Sequence, residues 1–348
     1  MKYICVDCGC TNMRARLFDN GVKIDESRRK AGGRNTAFTG SNEFLKASLK
    51  DCLAELLEKT GTAENDVEIV LLSGTITSNV GVYHAHHTVA PAGVPESAKG
   101  ARRVVLPEIS SMPMLFIPGV RVNPDGNEPD RMTVIDHFDS MSGEECEAYG
   151  IMELTGLTGD FSITLPGSYN KAFYIDKSGR ISTMSTGMCG EFMTALSEHT
   201  LMGLTLPKPV IRRVIPDALI EGFDYASRRG VSAALAKSRI AAVNAGYSDD
   251  ETGNFFAGAS LHGDISSAYD EYIPGKKLVI GGSNPFRTAF EVLLRHKGVA
   301  GEDLYVITDE MNEAASPRGQ MAVYKEYLRL TKQTGAADEE TASHVKEN

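Results

Sequence analysis

The stretch Tyr3-Ile4-Cys5-Val6-Asp7-Cys8-Gly9-Cys10-Thr11-Asn12 sets the reading of the whole chain. Its first half alternates as a strand does, and it ends on an acid followed by a glycine turn. Met13 to Phe18 reads as a second strand. Asp19-Asn20-Gly21 then signals a hairpin, because Asn and Gly both tolerate positive φ. The plan returns in mid-chain. Phe161 to Leu165 is a strand, Pro166-Gly167-Ser168-Tyr169-Asn170 a tight turn, and Ala172 to Ile175 a second strand. Lys177-Ser178-Gly179 closes a hairpin into Ile181 to Met184. Gly9 and Gly167, Asn12 and Asn170, and Gly21 and Gly179 each stand 158 residues apart. Two strand–turn–strand–turn–strand units in one register imply two copies of one domain core.

Each unit is followed by helical and then βα-like patterns. Leu45, Leu49, Leu53 and Leu57 recur at i+4, which predicts an amphipathic helix over 42–59. Val67 to Leu72 is a buried strand ending at Ser73-Gly74, and Lys277 to Ile280 one ending at Gly281-Gly282. A helical pattern runs from Thr288 to Leu294, a strand from Leu304 to Ile307, and a last helix from Val323 to Leu330, expected to pack back on the first lobe. The reading gives a first lobe over 1–140, a second over 141–330, and a disordered acidic tail over 331–348.

The chain's 348 residues suit two domains. Its 36 Lys and Arg against 46 Asp and Glu leave a net charge of −10, with no basic block, which argues against nucleic-acid and anionic-membrane partners. No apolar run is long enough to span a bilayer, and Asp7 interrupts any signal-peptide core, so a cytoplasmic location is expected. The six scattered cysteines suit reduced thiols.

A glycine directly after a strand lets the backbone approach a phosphate, with the next N–H groups aimed into the same space. Such turns occur at Gly9, Gly167 and Gly281-Gly282. They point to a nucleotide held between two lobes. Neither G-x-G-x-x-G nor G-x-x-x-x-G-K-[ST] occurs, so dinucleotide and P-loop folds lose support. Asp7-x-Gly9-x-Thr11-Asn12 has the form of the actin-like phosphate signature. There the acid orients Mg²⁺ through water and the turn cradles phosphate; the plainer reading is a strand-end acid capping its own turn.

From about residue 3 to 330 the chain resembles the 2-dehydro-3-deoxygalactonokinase family, sugar-acid kinases of the actin-like ATPase superfamily. The residues that carry this are Asp7 to Ala15, Ser78-Asn79-Val80-Gly81, Ala90-Pro91-Ala92, Ile117-Pro118-Gly119 and Met141-Ser142-Gly143-Glu144-Glu145. Leu165 to Lys171, Met188-Cys189-Gly190-Glu191 and Glu198 to Gly203 complete them. The chain departs from the family at Ser142, where an Arg is usual, at Ser168, Tyr169, Asn170 and Ala172 around the retained Lys171, at Cys8 for a usual Trp, and at Cys189. The resemblance implies two actin-like, ribonuclease H-like α/β lobes, each a mixed five-stranded sheet flanked by helices, with a central ATP cleft that closes to exclude water. It also implies a kinase that uses ATP and Mg²⁺ on the terminal hydroxyl of a keto-deoxy sugar acid, foremost 2-dehydro-3-deoxygalactonate. Homodimer formation is compatible with it.

The resemblance implies these roles. Glu144 is the favoured base and Glu145 the second choice, since a carboxylate in a first helical turn stays ionised; the alternative is that both acids only stabilise the helix. Asp7 holds Mg²⁺ through water. Gly9, Cys10, Thr11 and Asn12 form the first phosphate turn, and Gly167, Ser168, Tyr169, Asn170 and Lys171 the second. Lys171 is either a point charge on phosphate or sugar-acid carboxylate, or a solvated strand lysine. Gly281, Gly282 and Ser283 pack on adenosine. Arg14, Ser78, Asn79 and Glu191 face the substrate, with a surface ion pair the other reading of Arg14 and a turn former that of Asn79. Glu191 and His199 match the family without a derivable role. Cys5, Cys8 and Cys10 have half the spacing of a zinc site, and His84, His86 and His87 cluster in a loop; core and pocket roles are favoured over metal for both groups. Two alternatives stand beside the kinase for sugar acids: a nucleotide or sugar-acid sensor without turnover, and a kinase for a neutral sugar.

Overall fold

The computed structural model describes residues 1–122, 130–272, 277–334 and 340–341. It divides into two compact units, Met1–Thr158 with Glu313–Asn348, and Gly159–Asn312. In the first, β1 (Lys2–Cys8), β2 (Met13–Asp19) and β3 (Val22–Arg29) form an antiparallel meander. Asn20 (φ 49°) and Gly21 (φ 83°) turn its hairpin, the left-handed pair that their residue types favour. β4 (Val67–Gly74) runs parallel to β1 on the other side. Beyond it lie β5 (Arg102–Leu106) and β6 (Ser110–Phe116), β6 parallel to β4 and β5 antiparallel to β6. The two residues Glu340–Thr341 add a seventh strand beside β5. This sheet is therefore wider than the five strands expected, because the 102–116 hairpin extends its edge. The helix Glu43–Thr60 buries Leu45, Leu49, Leu53 and Leu56 against β2 and β3. Each fully buried leucine contributes about 1.5–3 kcal/mol.

The second unit repeats the meander with β7 (Phe161–Leu165), β8 (Asn170–Ile175) and β9 (Ile181–Gly187). β10 (Lys277–Ile280) runs parallel to β7, and β11 (Leu304–Val306) parallel to β10, closing a five-stranded sheet. Helices Cys189–His199, Pro216–Arg229, Val231–Asn244 and Asp249–Tyr272 separate β9 from β10. The periodicity reading had no assignment for any of the four. The last three pack through small residues: Gly222 lies against the Phe255 carbonyl and Gly258 against the Leu219 carbonyl. A stripe of glycine and alanine gives close backbone contact but little hydrophobic period.

Three expectations change. The lobe boundary lies at Thr158/Gly159, not 140/141, and the second unit ends at Asn312, not 330, where the last helix returns to the first unit as expected. The cause is the helix Glu144–Thr155: Gly150 meets the Ala315 carbonyl, and Gly319 meets the Cys146 carbonyl, joining it backbone to backbone with the last helix. That last helix spans Asp309–Thr334, far more than 323–330. It takes in the first four residues of the expected tail; 335–339 and 342–348 lie outside the described residues. No described helix is long and apolar enough to cross a membrane.

Candidate active site

In the first unit Asp7 stands half-buried at the end of β1, and the turn after it is held from three sides. Gly9 N–H donates to the Asn12 carbonyl at 3.0 Å, which closes the turn. The Thr75 hydroxyl, at the end of β4, lies 2.7 Å from the Gly9 carbonyl. Arg34 N–H donates to the Cys10 carbonyl at 2.9 Å. Two further glycines make the approach possible. A Cβ on Gly32 would overlap the Gly9 carbonyl, and one on Gly74 (φ +99°) would overlap the Cys8 carbonyl. Thr11 and Asn12 bond each other (3.0 Å), with Asn12 exposed.

The Glu144 helix begins beside this turn. Gly143 has φ +111°, and a Cβ there would stand 3.0 Å from the Gly74 Cα and 3.9 Å from an Asp7 carboxylate oxygen. The two following glutamates differ. Glu144 is half-buried and accepts the Ser142 N–H at 3.0 Å. Glu145 is 0% exposed and accepts the Gly143 N–H at 2.8 Å through one oxygen, while Oε1 has no hydrogen-bond partner among the described residues. Burial first, and the Glu144 charge second, push the Glu145 carboxyl up to about 8. Behind Asp7, the buried Arg16 donates to the Glu313 carbonyl at 2.6 Å. Gln320 of the last helix donates to the Val6 carbonyl (2.8 Å) and to Ser73 Oγ (2.7 Å), pinning that helix to the ends of β1 and β4.

The same pattern is built again in the second unit. The Gly190 Cβ position overlaps the Gly167 carbonyl, as Gly32 does Gly9, and Gly32 and Gly190 too stand 158 residues apart. Gly282 (φ +71°) would place a Cβ 2.6 Å from the Pro166 carbonyl, as Gly74 does against Cys8. Glu191 N–H donates to the Ser168 carbonyl at 2.9 Å. Asn170, expected in the turn, is instead the first residue of β8 and accepts the Thr164 hydroxyl at 3.1 Å. Lys171 is buried, not solvated, with its Nζ 2.5 Å from Thr186 Oγ1. Gly281 N–H continues the β7 pairing to the Thr164 carbonyl at 2.9 Å. Arg287, buried and paired with Asp309, donates to the Gly282 carbonyl at 3.1 Å, and Asn312 donates to Ser283 Oγ at 3.3 Å. Pro285 and Phe286 line a cavity of about 330 Å³ with Met193, Ser197 and Val210.

The structure thus gathers Asp7, residues 9–12 and Glu144 in one unit, and residues 167–171, Glu191 and Gly281–Ser283 in the other. Ser78 is buried with its hydroxyl on the Thr75 carbonyl (2.7 Å), and Asn79 is exposed. Arg14 pairs with Glu313 at 2.5 Å. Ser142 Oγ lies 3.0 Å from His87 Nε2, and the rings of His84 and His86 stand 4.6 Å apart. Burial and the neighbouring His86 lower the pKa of His84. His199 is exposed. All six cysteines are free, and no group of three or more His, Cys, Asp or Glu converges among the described residues as a metal site would. The repeat register would have found Gly32 and Gly190. Thr75 and Gln320 carry no local signal, since only the fold brings them to the turn.

This duplicated, glycine-clamped turn on a mixed sheet defines the class: an α/β protein of the actin-like ATPase and sugar-kinase fold. The activator of 2-hydroxyisocaproyl-CoA dehydratase from Clostridium difficile shares that fold, at a TM-score of 0.50 over 98% of this chain and 100% of its own, with 13% identity. A protein from Sinorhizobium meliloti, proposed to be a 2-dehydro-3-deoxygalactonokinase, aligns at a TM-score of 0.70 and 18% identity over 93% of this chain and 98% of its own. The 2-dehydro-3-deoxygalactonokinase of Escherichia coli (strain K12) is 25% identical over 274 residues, 77% of this chain and 81% of that protein. The model of the 2-keto-3-deoxy-galactonokinase family matches residues 7–316, and the chain belongs to that family. It is a kinase, a phosphotransferase.

Proposed function

We propose that the chain transfers the terminal phosphoryl group of ATP to the terminal hydroxyl of a keto-deoxy sugar acid, 2-dehydro-3-deoxygalactonate first among them. The observation that carries the reading is the matched pair of clamped turns, one bearing the acid Asp7 and the other the buried cation Lys171. Phosphoryl transfer asks for charge neutralisation, in-line positioning and a proton acceptor, with little covalent chemistry from the protein. The N–H groups of residues 9–12 and 167–170, with Lys171, are the donors for phosphate oxygens. Gly281–Ser283 and the 330 Å³ cavity beside Pro285 are the nucleoside site. Asp7 fits Mg²⁺: it is a hard oxygen donor, half-exposed, facing backbone that any Cβ would crowd. When bound, Mg²⁺ neutralises developing charge on the phosphates. Asp7 would hold it through water.

Glu144 accepts the hydroxyl proton. It stands in a first helical turn, where the N–H dipoles favour a carboxylate, and its access to solvent distinguishes it from Glu145, which is fully buried with its carboxyl pushed up to about 8. Arg14, Ser78, Asn79 and Glu191 are assigned to the acceptor. The test is ADP release with ATP and Mg²⁺ over a panel of keto-deoxy sugar acids and neutral sugars. Turnover on 2-dehydro-3-deoxygalactonate supports the reading; ATP binding without turnover on any compound refutes it in favour of a sensor. A neutral-sugar acceptor is the second reading, favoured by Ser142, whose hydroxyl is engaged by His87 where the family has a cation.

A further inference from the structure

We infer that Asp264 is a positioning residue for the second phosphate turn: its carboxylate caps, from a distant helix, the helix on which that turn rests. The proposal builds on reading residues 167–171 as a phosphate site.

The helix Cys189–His199 lacks a local cap. Met188, at its N-cap, supplies no side-chain hydrogen bond, so the first N–H groups need another acceptor. Asp264, 75 residues later in the helix Asp249–Tyr272, provides it: Oδ2 accepts the Cys189 N–H at 3.1 Å. The strand end is shaped around the same group. Gly187, the last residue of β9, is packed so tightly on Asp264 that a Cβ would overlap the carboxyl carbon. The residues that follow Cys189 touch the turn itself. Gly190 underlies the Gly167 carbonyl and Ser168, and Glu191 N–H donates to the Ser168 carbonyl at 2.9 Å. On its other side Asp264 borders a small cavity of about 70 Å³ with Asn170 and Thr186, the latter being the partner of Lys171.

The first unit shows why a remote cap is needed. There the helix Gly33–Thr39 is satisfied locally at its N-cap Gly32, whose N–H donates to the Asn35 side chain at 3.0 Å. The position matching Asn35 in the repeat is Met193, which cannot accept a hydrogen bond of that kind and lies in the core. Asp264, from outside the repeat, accepts instead the N–H of Cys189, one residue before Gly190, the match of Gly32. Its role is one of placement and not of contact with the reacting atoms.

Asp264→Ala and Asp264→Asn, each assayed for ATP and sugar-acid kinetics and for amide hydrogen exchange, test this. Asp264→Ala is expected to lower kcat/KM for ATP by roughly 10- to 100-fold. Amides of residues 168–170 and 189–191 should exchange at least ~10-fold faster. Asp264→Asn, whose carbonyl oxygen still accepts the Cys189 N–H, should recover most of both. Equal defects in the two variants, or a lowered Tm with unchanged ATP kinetics and exchange, would overturn the proposal. Should the wild-type chain prove not to bind ATP, the phosphate reading fails. The exchange comparison then still decides whether Asp264 holds the turn.

Discussion

The two glycine turns share their backbone and differ in almost every side chain. Gly9, Gly32 and Gly74 in the first unit have counterparts in Gly167, Gly190 and Gly282 in the second, with matching close approaches to carbonyls. The side chains around them diverge. In the repeat register Asp7 corresponds to Leu165, and Lys171 to Met13. The braces diverge too: Thr75 and the Glu144 helix stand at the first turn, Asp264 and Arg287 at the second. Backbone geometry is thus the retained element, because a carbonyl packed on a Cα tolerates no Cβ. Charge is free to vary by position.

The largest effect expected at the first turn is catalytic. Glu144→Gln should lower kcat by ~10²–10⁴, while Glu145→Gln, replacing a group already neutral at pH 7, stays within about tenfold. The reverse order in steady-state assays would reassign the base. Next come the clamping glycines. Gly32→Ala and Gly190→Ala each force an overlap with backbone and should cost roughly 1–3 kcal/mol by denaturant titration. If one costs nothing measurable, the two turns are not held alike.

Glu145 gives the first unit a pH dependence. Its carboxyl titrates at about 8 when folded, against 4.5 for an ordinary glutamate, so the folded state holds the extra proton between these values. Stability contributed there falls as pH rises from about 4.5 to 8. Glu145→Gln removes this loss and should raise Tm above pH 8, with little change near pH 4. A parallel shift in Tm at both pH values would contradict that origin. The smallest effect is at Arg14, whose pair with Glu313 is partly exposed. Glu313→Gln should change stability by only ~0.2–1 kcal/mol. A large fall in KM for the sugar acid in that variant would show that freeing Arg14 helps bind the acceptor.

Much of this was legible in the sequence. The two meanders, their hairpins, the helix Glu43–Thr60 and the strands Val67–Gly74 and Lys277–Ile280 all follow from alternation, i+4 spacing and turn chemistry, which act over a few residues. So do the turns themselves, since the repeat register marks their glycines. The lobe boundary, the Pro216–Tyr272 helices, the burial that separates Glu145 from Glu144, and the braces from Gln320 and Asp264 were not legible. Each depends on a partner far along the chain: Gly319 against Cys146, Gly258 against Leu219, Asp264 against Cys189. Local periodicity determines which segments become strands and helices and where the backbone must be bare. Only tertiary packing decides which carboxylate keeps its access to water and which distant side chain satisfies a helix end, because desolvation and capping depend on neighbours that sequence spacing does not reveal.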